Sequence, residues 1–440
     1  MSASTRVMRL TGGSTRVREK GDHVLDEFEW FLGIDWGSEA HAVCLLDTTG
    51  RIRGTRTVAH TAGGVHEAIS WVREQTGAAT AAVAVGIETP RGALVDTVIE
   101  QGFAVFALNP KQLDRFRDRF TAAGAKDDDR DAHVLADALR TDRRAFRRVQ
   151  PDDPLIIQLR EVTRLREDLQ ADEQRLANRL RDQLYRVHAA WLTISPAADE
   201  PWLWAILAQT PDPTHWARLS RRRMAAALRT HRIRRVTPEA ILAALQEPRL
   251  TVAPGVTDAV ATRIAAVVPQ LQLVAGQRVA AERRIDGLLE RLASRETTDP
   301  EPREHRDVEI LQSLPGVGRM VTATMLTEAT GPLAERDYGT LRAHAGAAPV
   351  TKRSGKRACF VHMRYACKPR LRSALYHWAR TSIQHDAAAR TYYDGLRARG
   401  HNHARALRSV ADRWLRVLIA MLKTGTMYDP SRLVQADAPA

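Results

Sequence analysis

Two apolar runs each end on an acidic residue: FLGIDWG (31–37) carries Asp35, and AAVAVGIE (81–88) carries Glu88. Short apolar runs bounded by turn residues read as strands, and here helix-like segments alternate with them. FLGIDWG, AHAVCLLD and RIRGTRTVAH predict three successive strands in an antiparallel meander. A helix follows from about 64 to 75, then the AAVAVGIE strand. Next come a helix from about 92 to 101, stopped by Gly102, and a last strand, AVFALNP, ended by Pro110. With the helix-like AKDDDRDAHVLADALR behind them, the order is βββαβαβα, that of an RNase H-like core.

That order gives the acidic residues a common address. Asp128 and Asp131 are three apart and share one face of a helix turn. Carboxylates at a helix start also stabilise the dipole and cap free N–H groups, and Asp127 and Asp129 read that way. Asp35, Glu88, Asp128 and Asp131 together concentrate negative charge that a divalent cation or a proton must compensate. Actin-like sugar kinases and ATPases also start with Asp-x-Gly on a first strand. They need a second phosphate loop and a glycine-rich adenosine site in a later duplicated domain, and here the later chain is a helical seam and a basic block.

The charge balance points to a polyanionic partner. Lys+Arg number 66 against 52 Asp+Glu, a formal charge of +14 with a sequence pI near 10.3. Only seven of the cations are lysines, which reads as a GC-rich coding bias before it reads as phosphate recognition. Three cysteines are too few for a disulfide framework, and Cys359, His362 and Cys367 lack a fourth ligand at zinc spacing. No signal peptide and no run approaching transmembrane length is read, so a reducing cytoplasm is expected.

The 440 residues suffice for two or three domains. Residues 1–27 read as a flexible basic tail, 28–150 as the α/β domain, 151–300 as a helical, coiled-coil-like middle, 301–430 as a C-terminal domain and 431–440 as a tail. The middle opens with Leu155, Leu159, Val162, Leu169, Leu176, Leu180, Val187 and Trp191 at near-heptad spacing, interrupted by Arg166 and Glu173. This predicts a long amphipathic helix packing on a partner, and a second such stretch runs from about 258 to 293. Between them an insert at about 195–255, with the basic run RLSRRRM, predicts a small helical lobe. Residues 294–306 read as a linker.

In the C-terminal block, LPGVGRMVTATMLTEAT (314–330) predicts a helix-hairpin-helix-like element whose Gly316 and Gly318 permit a tight turn facing a DNA phosphate. Further on, Ser354 stands between Lys352-Arg353 and Gly355-Lys356-Arg357, where cations and a glycine can hold a phosphate within reach of a hydroxyl. No His–Asp pair at hydrolase spacing accompanies it.

As a set, GIDWGSEAHAVCLLD, GIETPRGALVDTVIEQGFAVFALNP, KDDDRDAHVLADALR, LPGVGRMVTATML and the Ser-Gly-Lys serine followed by LRSALYHWA resemble the DEDD transposases of bacterial insertion sequences, the family one-ten. The resemblance covers about 30–140 and 308–385. It implies a RuvC-like domain binding Mg²⁺ (or Mn²⁺) through Asp35, Glu88, Asp128 and Asp131, and a catalytic Ser354 that becomes joined to a DNA 5′ phosphate. It implies double-stranded donor and target DNA and an element-encoded structured bridge RNA as partners. It also implies homo-oligomerisation through the helical middle, dimers assembling to a tetramer, with no membrane partner and a nucleoid-associated location. Lys352, Arg353, Lys356, Arg357, Lys368 and Arg372 are then candidate nucleic-acid contacts, beside Gly316 and Gly318. Where the family commonly has Gly-Asn before the Leu-Arg pair, this chain has Cys367-Lys368. Two other readings stand: a RuvC-like endonuclease hydrolysing branched DNA, and a non-catalytic RNA- and DNA-binding scaffold.

Overall fold

The computed structural model describes residues 28–119, 127–150, 152–248, 251–294, 303–352 and 360–431. The expected tail at 1–27, all but the first residue of that at 431–440, and most of the expected linker lie outside them. The chain divides into two compact units, Met1–Pro151 and Asp152–Ala440, so the expected boundary near 300 falls inside the second.

The first unit is mixed α/β. Its elements are β1 (Trp30–Asp35), β2 (Ala40–Asp47), β3 (Ile52–Ala59), α1 (Ala62–Thr76), β4 (Val83–Ile87), α2 (Ala93–Glu100), β5 (Ala104–Ala107), α3 (Pro110–Arg117), α4 (Asp128–Asp142) and β6 (Arg147–Arg148). The sheet order is β3-β2-β1-β4-β5-β6. β1, β2 and β3 pair antiparallel, β1, β4 and β5 parallel, and β6 is antiparallel to β5, consistent with the RNase H-like core expected. The central strands β1, β2, β4 and β5 bury both faces, whereas the edge strands β3 and β6 are largely exposed. Leu32, Ile34, Val43, Leu45, Val85 and Ile87 pack on α1 and α2; Phe31, Ala42, Cys44, Leu46, Ala84 and Phe106 pack on α4. The sequence marks the joints: Thr61 accepts a hydrogen bond from the Gly64 N–H to start α1, and Gly77, left-handed at φ 59°, ends it. Pro110 does more than end a strand. β5 already stops at Ala107, and Pro110 opens α3, a helix the sequence reading lacked.

The second unit is almost entirely helical. α5 (Pro154–His188) and α10 (Val256–Ala293) lie antiparallel along its length, and α6 (Trp191–Ile194), α7 (Pro201–Gln209), α8 (Arg221–Thr230) and α9 (Pro238–Gln246) form the insert lobe. The C-terminal part follows with α11 (Arg303–Ser313), α12 (Arg319–Glu328), α13 (Thr330–Ala334), α14 (Tyr338–His344), the hairpin β7 (Val350–Lys352) and β8 (Phe360–His362), α15 (Pro369–His385), α16 (Ala387–Ala398) and α17 (His403–Thr424). The partner of the amphipathic α5 is α10 of the same chain. At one end Leu176, Leu180 and Leu184 meet Val260, Ile264, Val268 and Leu271, over a lobe core built on Trp191, Trp202, Trp204 and Trp216. At the other, Ile156 and Leu159 meet Ile285, Leu288 and Leu292, and join the C-terminal core. Between the two cores the polar residues that break the seam cross-link the helices. Arg166 bonds Glu282, and Glu173 bonds Arg278 at 2.6 Å. One amendment concerns membranes: α10 alone among the described residues is long and apolar enough to cross one by length and composition. Its apolar seam is engaged with α5, and Arg278 and Glu282 lie on it.

Candidate active site

The register of β1 on β4 sets the acidic site. Gly33 pairs with Gly86 and Ile34 with Ile87, so Asp35 and Glu88 leave the carboxyl ends of adjacent parallel strands side by side. Alternation puts Gly33 and Asp35 on one face of β1, and Gly86 and Glu88 on the matching face of β4. α4 lies on that face, and the two glycines let it come close. A Cβ at Gly33 would stand 1.9 Å from the Ala132 carbonyl oxygen, and one at Gly86 would stand 3.0 Å from that of Leu135. A helix resting on strand backbone places its first turn, with Asp128, Asp129 and Asp131, over the strand ends. Asp35 and Glu88 are half-buried, Asp128 is exposed, and Asp131 is 1 % exposed. Asp127 stands at the cap position but makes no side-chain cap bond, so the capping role expected of it fails. Asp129 instead adds its charge to burial in pushing the Cys44 thiol up to about 11.

One cation already stands in this site. Arg117, the last residue of α3, donates from Nε to Asp131 Oδ1 at 2.6 Å and from Nη2 to Oδ2 at 2.7 Å, while Nη1 donates to Asp114 Oδ1 at 2.6 Å. The hydrogen bonds to Asp131, with the charges of Asp131, Asp114 and Glu88, raise the guanidinium above its usual range. Glu88 is thus within electrostatic reach of the same arginine. Among the described residues no three carboxylate, histidine or cysteine groups converge tightly enough to hold a metal ion. The strands and α4 bring the four acidic residues to one end of the sheet, and Asp131 is turned to Arg117. The donors remain all-oxygen and acidic, a set that fits a hard divalent cation such as Mg²⁺ or Mn²⁺. Sequence reasoning missed Arg117; the signals were Pro110 opening a helix and the Asp114–Arg117 spacing of three.

It also missed a histidine pair beside Asp35. The Gly37 N–H donates to His41 Nδ1 at 3.3 Å, which leaves Nε2–H to donate to His60 Nδ1 at 2.8 Å. Burial, then the charge of His60, lowers the His41 pKa, and the ring ties the turn after Asp35 to the end of β3. The exposed Trp36 lies edge-on to His60, with ring centroids 6.3 Å apart.

In the second unit, Ser354, Arg353, Lys356 and Arg357 fall outside the described residues. Lys352 ends β7, paired with Phe360 of β8. Gly316, at φ 80°, makes the turn between α11 and α12 and packs on α15: a Cβ there would stand 2.6 Å from the Ser382 backbone nitrogen. Gly318 is exposed and precedes α12. Two of the expected nucleic-acid contacts are engaged within the fold. Lys368 Nζ donates to the Glu328 carbonyl at the end of α12, and Arg372 donates to the Arg364 carbonyl.

Comparison with known proteins agrees at both ends of the chain. Residues 32–189 match a family described as transposase, of the DEDD IS110 type, and 308–394 match the transposase IS116/IS110/IS902 family. The y4uE protein of Sinorhizobium fredii is 46% identical over 221 residues, half of this chain and 62% of that protein, which is less than two thirds of its length. The mini-circle IS117 protein of Streptomyces coelicolor is 30% identical over 425 residues, 94% of this chain and 99% of that one. The 43.6 kDa protein of insertion element IS110 from the same organism is 30% identical over 406 residues, 91% of this chain and 95% of that one. With likeness at that level over nearly the full length of both proteins, the chain belongs to the IS116/IS110/IS902 family of transposases, enzymes that catalyse DNA transposition.

Proposed function

We propose that this transposase excises and inserts its insertion sequence under the guidance of an element-encoded RNA, through 5′-phosphoserine intermediates formed at Ser354. The observation that carries the reading is the register of β1 on β4, with α4 resting on Gly33 and Gly86, which brings Asp35, Glu88, Asp128 and Asp131 to one end of the sheet. A divalent cation, implied by the family, would be held by these carboxylates and would stabilise charge on the oxygens around the reacting phosphorus. The Ser354 Oγ attacks the phosphorus, the P–O3′ bond breaks, and the serine proton ends on the departing 3′ oxygen. Rejoining reverses the step: a 3′ hydroxyl attacks the phosphoserine and Ser354 recovers its proton. Because one phosphodiester is exchanged for one serine ester, no external energy source is needed. A net charge of +14 supports steep, salt-dependent binding of the nucleic acids. A homo-oligomer belongs to the same reading.

The test is covalent capture. A nicked suicide DNA substrate, with matched RNA and Mg²⁺, is expected to leave a protein–DNA band on a denaturing gel, and Ser354→Ala is expected to lose it while retaining DNA binding. A band that persists in the variant requires another nucleophile. DNA cut without any band in either protein makes the chain a hydrolytic RuvC-like nuclease.

A further inference from the structure

Arg117 has no role in the acidic site as the family reading describes it, yet it takes both oxygens of the most buried carboxylate there. The Asp131 side chain is 2 % exposed and that of Arg117 25 %, so the arginine is the solvent-side member of the pair. A carboxylate gripped by a guanidinium fork has its favoured lone-pair directions filled and a positive charge beside it. A divalent cation approaching Asp131 meets both obstacles.

The same geometry offers a way out. The third donor of Arg117, Nη1, already holds Asp114, three residues earlier on α3 and 66 % exposed. An arginine leaving Asp131 keeps an acceptor on its own helix. The converse does not hold. Asp131 without Arg117 is a buried charge with no cation, a state the fold strongly disfavours.

We propose that Arg117 is the resident counter-ion of the acidic site, and that divalent-cation binding requires its displacement from Asp131 toward Asp114. This rests on the reading of Asp131 as a metal ligand and adds a positioning residue to it. Arg117 keeps Asp131 compensated in the metal-free chain and sets a threshold against loading.

The full-length chain is titrated with Mn²⁺, following free ion by electron paramagnetic resonance and the thermal unfolding midpoint in parallel. Arg117→Gln is expected to bind Mn²⁺ roughly ten- to a hundredfold tighter than the parent, the factor expected from losing a charged hydrogen-bonded competitor. Its midpoint is expected to be lowered without metal and to rise with Mn²⁺ more steeply than the parent's. Adding Asp131→Asn to Arg117→Gln is expected to erase that gain. Arg117→Lys, which keeps the charge and loses the fork, is expected to fall between, and it serves alone if the glutamine variant does not fold. Equal Mn²⁺ affinity in the parent, Arg117→Gln and Arg117→Lys overturns the displacement proposal and leaves the acidic-site reading standing. Absence of Mn²⁺ binding in every protein overturns both.

Discussion

Gly33→Ala tests the contact on which the acidic site is built. The added Cβ would stand 1.9 Å from the Ala132 carbonyl oxygen, 2.7 Å from the Ala136 nitrogen and 3.0 Å from the Ala132 carbonyl carbon. All three are backbone atoms, so no side chain can swing aside. Contacts below 3.0 Å essentially never occur, and α4 must therefore retreat from β1 by about 1.1 Å. Overpacking of this kind costs about 1–3 kcal/mol, and more where the obstacle is a helix backbone. The same retreat carries Asp128 and Asp131 away from Asp35 and Glu88, and a misplacement of about 1 Å in a catalytic set costs on the order of a hundredfold in rate. Gly86→Ala is the matched control. Its Cβ would meet the Leu135 carbonyl oxygen at 3.0 Å and otherwise only ordinary contacts, so about 1 kcal/mol or less is expected. Urea unfolding gives the stabilities, and strand-exchange rates on a supercoiled donor give the activities. If Gly33→Ala unfolds within about 0.5 kcal/mol of the parent and recombines at its rate, α4 does not rest on β1 as described.

Two further outcomes follow from the electrostatics. Glu282 accepts from Arg166 and Arg278 in a cluster whose side chains are 15–25 % exposed, so Glu282→Gln is expected to cost roughly 1–3 kcal/mol in urea unfolding at pH 7. Burial alone would raise its pKa, but the Arg166 hydrogen bond and the Arg278 and Arg166 charges more than offset this and hold the carboxyl below its ordinary range. Its contribution is therefore full above the unfolded value near ~4.3 and fades as pH falls through the lower folded value. A Glu282→Gln deficit unchanged at acid pH would contradict that account. Cys44 is fully buried with its thiol pushed up to about 11, so peptide mapping after iodoacetamide at pH 8 should find it unlabelled until the chain is unfolded. Because its folded value is raised, its contribution to stability is full below the unfolded value near ~8.5 and is lost as pH climbs through about 11. Labelling of native Cys44 at the rate of an unfolded peptide would place it at the surface instead.

The sequence by itself determined what local pattern can encode. Continuous apolar runs marked β1, β2, β4 and β5, Gly102 marked where α2 stops, and the carboxylates could be assigned to strand ends and a first helical turn from spacing alone. Contacts between distant segments were not legible, because a residue's local spacing carries no record of what will pack on it. Arg166 and Glu173 looked like breaks in an apolar seam; only the antiparallel docking of α10, about a hundred residues on, makes them cross-links to Glu282 and Arg278. Lys368 and Arg372 looked like free cations for DNA and are bonded to the Glu328 and Arg364 carbonyls. Gly33 and Gly86 carried no local mark within their strand-like runs, and their pairing in register is what lets α4 lie on bare backbone. Arg117 gave no signal tying it to Asp131, fourteen residues away on another helix. Period and propensity act over a few residues and so survive in the one-dimensional chain, whereas close approach and charge pairing are set by distances that exist only after the sheet and helices have packed.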